Sequence, residues 1–160
     1  MKELVGIAEQ IAAKLVSRQQ TIAVAESSTG GLISAALLAV PGASAYFKGS
    51  AVVYTRDARR ILMDIPDDAM KGIRSASEVY ARLLANQIRT RFSTDWGLSE
   101  TGATGPTGNR YGDAAGHSCI AVAGTETAAI TLETGSSDRL ANMHAFAATA
   151  LNLLLKDVSR

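Results

Sequence analysis

One stretch near the start of the chain restricts the possible folds more than any other. Thr21-Ile22-Ala23-Val24-Ala25 is a short apolar run, and Leu32 to Val40 is apolar on nearly every side. Between them lie Glu26-Ser27-Ser28-Thr29-Gly30-Gly31. A buried central strand, a tight polar turn and a buried helix accommodate that order, which points to an α/β protein.

The turn also has a chemical consequence. The first N–H groups of a helix have no intrahelical partner and carry the positive end of its dipole, so an anion or a developing oxyanion fits there. Gly30 and Gly31 remove the Cβ atoms that would keep a ligand away, while Ser27, Ser28 and Thr29 bring three hydroxyls to the same spot. The same residues serve equally well as a helix cap and a tight turn. The spacing matches neither the phosphate-binding Gly-Lys-Ser/Thr loop nor the Gly-x-Ser-x-Gly elbow.

Either side of this unit the periodicities are regular. Leu4, Ala8, Ile11 and Leu15 recur at helical spacing from about Lys2 to Arg18, giving an amphipathic helix that covers one face of a sheet. Pro41-Gly42 ends the buried helix. Ser50 to Tyr54 reads as a second strand with the Tyr54 hydroxyl at its terminus and Lys48 toward its other end, and Thr55 to Met63 as a short helix carrying Arg56, Arg59 and Arg60. Ser75-Ala76-Ser77-Glu78 caps a longer helix with Tyr80, Leu84 and Ile88 inward. Ser93 to Ser99 reads as a third strand, and Glu100 to Gly108 as a glycine- and hydroxyl-rich loop at a strand end, where α/β proteins place ligand contacts. Asn109 to Ala115 reads as a polar, mobile connection. His117 to Ala123 and Ala128 to Glu133 form an antiparallel pair, which makes the sheet mixed, and Asp138 caps a final helix.

Composition narrows the classes of function. Sixteen basic and fifteen acidic residues nearly cancel, which gives no electrostatic signal for nucleic acid or an anionic membrane. The 160 residues suit one domain, residues 1–160, with an ordinary core. The lone Cys119 sits in an apolar run and reads as structural. No apolar segment is long enough to span a bilayer, and the opening residues are amphipathic rather than an apolar signal core, so the cytoplasm is the expected compartment. His117 and His144 read as structural or surface residues, and no clustered ligand spacing predicts a metal or other cofactor.

Ala25-Glu26-Ser27-Ser28-Thr29-Gly30-Gly31, Val40-Pro41-Gly42-Ala43-Ser44-Ala45-Tyr46-Phe47, Val53-Tyr54-Thr55, Ser75-Ala76-Ser77-Glu78, Thr101-Gly102-Ala103-Thr104-Gly105-Pro106 and Gly135-Ser136-Ser137-Asp138-Arg139 occur in that order. Together they resemble the C-terminal domain of the competence/damage-inducible protein CinA, which also occurs as a stand-alone nicotinamide mononucleotide deamidase. The resemblance covers nearly the whole chain. It implies a three-layer α/β/α sandwich with a mixed β-sheet and an amidohydrolase of pyridine-nucleotide salvage that acts on a small-molecule nucleotide without a cofactor. It also implies a homo-oligomer, because related domains self-associate through apolar helices.

By position, the resemblance implies that Ser27 is the nucleophile and that Tyr54 assists proton transfer. Ser28, Thr29, Gly30, Gly31, Thr101, Gly102, Thr104 and Gly105 would bind substrate or supply oxyanion contacts, and Arg139 would pair with the phosphate. Three positions depart from the pattern. Arg59 replaces a lysine five residues after the tyrosine, Arg56 replaces an asparagine, and Met143 replaces a second arginine. Arginine stays protonated at any relevant pH, so Arg59 cannot act as the base. Tyr54, helped by the Arg59 charge, is then the most economical candidate, and activity is expected to be weak or lost. The alternative is a catalytically degenerate protein that still binds a nucleotide or phosphate, linked to competence or the DNA-damage response.

Overall fold

A computed structural model describes all residues from Met1 to Arg160. Its sheet has five strands: β1 (Ile22–Glu26), β2 (Phe47–Val52), β3 (Trp96–Ala103), β4 (His117–Ala123) and β5 (Thr127–Glu133). They are ordered β2-β1-β3-β4-β5. β1 runs parallel to both β2 and β3, and β4 and β5 follow antiparallel, so the sheet is mixed. The helices are α1 (Lys2–Ser17), α2 (Leu32–Leu38), α3 (Arg56–Met63), α4 (Glu78–Phe92) and α5 (Arg139–Val158).

Alternation along the strands decides which helices pack where. Ile22, Val24, Leu98, Ile120 and Val122 point to one face, where they meet Leu4, Ile11 and Leu15 of α1, Ile33 and Leu37 of α2, and Ala147, Ala150 and Leu154 of α5. The opposite face carries small residues: Ala23, Ala25, Gly97, Ser99, Cys119, Ala121 and Ala123. α4 can therefore lie close on it. A Cβ on Gly97 would stand 2.1 Å from the Ala85 carbonyl oxygen, and Ser99 Oγ donates to the Ala81 carbonyl at 2.6 Å. The result is the three-layer α/β/α sandwich with bulky packing on one side and close backbone approach on the other.

The helices begin where polar side chains satisfy their first N–H groups. Thr55 Oγ1 accepts from Ala58 N at 3.1 Å, Ser77 Oγ from Tyr80 N at 3.2 Å, and Asp138 Oδ1 from Ala141 N at 3.0 Å. No helix is long and apolar enough to cross a membrane.

Three boundaries differ from those read in the sequence. β2 starts at Phe47 and ends at Val52, so Tyr54 lies beyond the strand, 62% exposed, and Lys48 lies inside it near the other end. The shift follows from pairing: Ile22 partners Phe47 and Glu26 partners Val52 across the parallel ladder. β3 continues through Ala103, placing Glu100, Thr101 and Gly102 in the strand rather than in the following loop. There β4 pairs with every one of them, and a Cβ on Gly102 would meet the His117 carbonyl at 2.5 Å. Finally, residues 109–113 form an ordered turn instead of a loose connection. Asn109 Oδ1 accepts from Tyr111 N at 3.0 Å and Asp113 N at 3.1 Å, and Asn109 Nδ2 donates to Asp113 Oδ2 at 2.8 Å.

Candidate functional site

Ser27 stands at the C-terminal end of β1, in the turn that leads to α2. Two carboxylates build this turn. Glu26 is fully buried and points into the start of α2, where Oε2 accepts from Ser34 N at 3.0 Å and from Ser34 Oγ at 2.7 Å. Its other oxygen accepts from Gly31 N and, more weakly, from Ile33 N at 3.4 Å. The positive end of the helix thus meets a negative group supplied by the chain itself.

Glu100 reaches the same turn from β3 and is equally buried. Its Oε2 accepts from Ser27 N at 3.1 Å and Thr29 N at 3.0 Å, and its Oε1 from Ser28 Oγ at 2.5 Å and Ser118 Oγ at 3.3 Å. Thr29 Oγ1 lies between the two acids, 3.1 Å from Glu26 Oε1 and 3.0 Å from Glu100 Oε2. Burial pushes the Glu100 carboxyl above its usual range, against the pull of the donors from Ser28, Thr29 and Ser27.

This arrangement changes how the sequence motif works. The anion expected at the start of α2 is an internal carboxylate, and the Ser28 and Thr29 hydroxyls are buried against Glu100 and Glu26 rather than turned to a ligand. Gly30 and Gly31 supply φ values of +63° and +106°, which the turn requires. A Cβ on Gly30 would also come to 3.5 Å from Met143 Cε, so the methionine that replaces a family arginine lies over this glycine. Ser27 differs from its neighbours. It commits its backbone N–H to Glu100 and lines a cavity of about 470 Å³.

That cavity brings together Ser27, Tyr54, Thr101 and Gly102, with Arg56 and Arg59 on α3, Ser75 and Ala76 before α4, and Tyr111 from the ordered turn. Its volume falls in the range of small-molecule sites. Thr101 Oγ1 accepts from Ala76 N at 3.2 Å and so fixes the cavity wall. Arg59 is 7% exposed, and its guanidinium donates to the Ile65 carbonyl at 3.3 Å and pairs with Asp67. Arg56 is held by the same Asp67, through Nε at 3.0 Å and through a second nitrogen. The contact that reaches Tyr54 comes from elsewhere: Arg139 donates to the Tyr54 hydroxyl at 3.4 Å and to the Gly105 carbonyl at 2.5 Å. Arg139, Thr104 and Gly105 are not among the lining residues. Thr104 and Gly105 are buried at the start of α5, where Asn142 Nδ2 donates to the Thr104 carbonyl at 2.8 Å.

His117, read from the sequence as a structural or surface residue, is structural. It is buried on β4, with Nδ1 facing Glu133 of β5 and Nε2 2.8 Å from the Ala76 carbonyl in the cavity wall. Because a carbonyl can only accept and Glu133 offers a carboxylate, a doubly protonated ring satisfies both contacts. Burial disfavours the imidazolium, but Glu133, Ala76 and Asp113 outweigh it and raise the His117 pKa above its ordinary value. The stabilisation from this ring is therefore complete below about pH 6.5, the unfolded value, and is lost as pH rises through the raised folded value. Thermal unfolding followed from pH 6 to pH 9 should show that decline, and His117→Gln should flatten it. An unchanged pH dependence in the variant would remove His117 from this role.

Comparison with known proteins agrees with the architecture. The family model described as the CinA C-terminal domain matches residues 5–158. A CinA-like protein of Gloeobacter violaceus is 40% identical over 131 residues, covering 81% of this chain and 31% of its own length. One from Synechococcus sp. (strain CC9902) is 40% identical over 107 residues, covering 67% of this chain and 26% of its own length. The chain thus spans less than a third of the length of these curated relatives. Among solved structures, a competence/damage inducible protein from Agrobacterium tumefaciens superposes with a TM-score of 0.90 at 24% identity, covering 99% of this chain and 96% of its own. One from Enterobacter asburiae gives a TM-score of 0.90 at 26% identity, with 97% and 98% coverage. The family match over almost every residue, together with a curated relative 40% identical over 81% of the chain, means that this chain belongs to the CinA C-terminal domain family.

Proposed function

We propose that the Ser27 cavity hydrolyses the carboxamide of nicotinamide mononucleotide slowly, giving nicotinate mononucleotide and ammonia. The observation that carries this reading is the convergence of Ser27, Tyr54, Thr101 and Gly102 on one cavity, with the Ser27 turn held rigidly by Glu26 and Glu100. Ser27 Oγ adds to the carboxamide carbon, the leaving nitrogen gains a proton and departs as ammonia, and water then cleaves the resulting ester. The N–H groups of Ser27 and Thr29 are committed to Glu100, which leaves Ser28 N–H as the uncommitted backbone donor beside the nucleophile for the oxyanion. Arg139 orients the Tyr54 hydroxyl, which takes part in proton transfer.

The rate is low because no strong base faces Ser27. Arg59 is always protonated, and no lysine lines the cavity to take its place as base. Prolonged incubation with nicotinamide mononucleotide tests the reading. Ammonia and nicotinate mononucleotide should form in equal amounts; binding without product would favour the catalytically degenerate nucleotide-binding protein instead.

A further inference from the structure

The ordered turn at residues 109–113 introduces a cation to the cavity that neither the helix terminus nor Arg139 provides. Three arginines line the cavity: Arg56, Arg59 and Arg110. The first two are both held by the single Asp67 carboxylate. Arg110 is exposed and pairs with no carboxylate; its guanidinium donates to the Tyr111 hydroxyl at 2.9 Å and stands 5.0 Å from the centre of that ring. Because Tyr111 receives a hydrogen bond there, its own O–H proton remains available to a ligand. The same contact, foremost among the causes, draws the Tyr111 pKa below its ordinary value and makes that O–H a stronger donor.

The turn is fixed before any ligand arrives. Asp113 binds Arg74 through two hydrogen bonds of 2.6 and 3.1 Å, and Arg74 lies 5.4 Å from the other contact partner of the stack, the Tyr111 ring. A Cβ on Gly108 would stand 2.0 Å from the Asp113 carbonyl oxygen, so the base of the turn is closed tightly. A guanidinium and a phenol held in this way lose little conformational freedom when they bind an anion. Their donors match the oxygens of a phosphomonoester.

We propose that Arg110 and Tyr111 form the subsite for the phosphomonoester end of the ligand, in the same cavity as Ser27. The inference rests on the nucleotide reading of the site and assigns the anion to the 109–113 turn, with Arg139 left to orient Tyr54. Calorimetric titration of the full chain tests it, using nicotinamide mononucleotide, ribose 5-phosphate and the phosphate-free nicotinamide riboside as probes. Arg110→Ala should weaken both phosphate-bearing probes by roughly 10- to 100-fold and leave the riboside within about twofold. Tyr111→Phe should weaken the same two probes by a smaller factor, and Arg139→Ala should leave ribose 5-phosphate unaffected. Equal affinity of the unmodified protein and Arg110→Ala for ribose 5-phosphate would overturn the proposal, as would no binding of either phosphate probe to the unmodified protein. Arg110-dependent binding of ribose 5-phosphate without hydrolysis of nicotinamide mononucleotide would support the subsite and overturn the amidase reading alone.

Discussion

Arg59→Lys combined with Asp67→Asn is expected to raise turnover of nicotinamide mononucleotide by about 100- to 10,000-fold, the usual contribution of a general base. Arg59 occupies a buried position on the cavity wall, where a lysine would lose solvation and give up its proton readily. The neighbouring carboxylate opposes that. Asp67 is held down at about 2, chiefly by its hydrogen bond with Arg56, so it is ionised at any working pH and would keep an adjacent ammonium charged. Arg59→Lys alone should therefore give a much smaller gain than the double variant. Steady-state kinetics separate the effects: kcat should rise while KM changes little, because neither substitution touches the phosphate subsite proposed at Arg110 and Tyr111. A double variant no faster than the unmodified protein would show that the base is not what limits the reaction.

Glu100→Ala should produce the largest loss of stability among single changes at the site. It leaves the backbone N–H groups of Ser27 and Thr29 buried without a partner, along with the hydroxyls of Ser28 and Ser118. At about 1–3 kcal/mol for each stranded backbone donor, the cost is about 2–6 kcal/mol. That corresponds to a fall in Tm of roughly 5–20 °C for a chain of this size. Glu100→Gln keeps one acceptor oxygen for the Ser27 and Thr29 N–H groups and turns the other into an amide donor facing the Ser28 and Ser118 hydroxyls, so it should fall between the unmodified protein and Glu100→Ala. A Tm for Glu100→Ala within about 2 °C of the unmodified protein would mean that the Ser27 turn is held by something other than this carboxylate.

Those two predictions depend on residues that differ in how readily the sequence discloses them. The layered fold was legible because its signals are local: the 3.6-residue spacing in α1 and α4, the β-branched runs of β1 and β4, and the capping residues Thr55, Ser77 and Asp138. Ser27 and Tyr54 were legible through the motif that surrounds them. Glu26 had a local signal that was passed over, since an acid just ahead of a helix start complements the dipole. Glu100 had none, because its partners in the Ser27 turn lie 71 to 73 residues earlier in the chain. The 109–113 turn had a local signal in Asn109, whose side chain bonds residues two and four positions on, but the Arg74 that ties it down is 39 residues from Asp113. The start of β2 was hidden for a different reason: Gly49 interrupts the apolar pattern there, and the Phe92 ring covers the gap, within 2.5 Å of where a Cβ would stand.

The Glu26 and Glu100 pair also explains why a motif so rich in hydroxyls and helix-terminal donors need not bind an external anion. In an apolar interior, each buried N–H and O–H must find a partner, and two carboxylates supply several acceptors at once. The turn is made rigid and one serine is left facing the cavity, and the subsite proposed for the phosphate lies on another segment, at Arg110.

Side-by-side measurement of nicotinate mononucleotide formation by the unmodified protein and by Ser27→Ala bears most directly on the central claim. Slow, steady product formation that disappears in the variant, with binding of nicotinamide mononucleotide retained, is the predicted result. Equal rates for the two proteins would contradict it, because the hydroxyl that this cavity presents would then have no part in the chemistry.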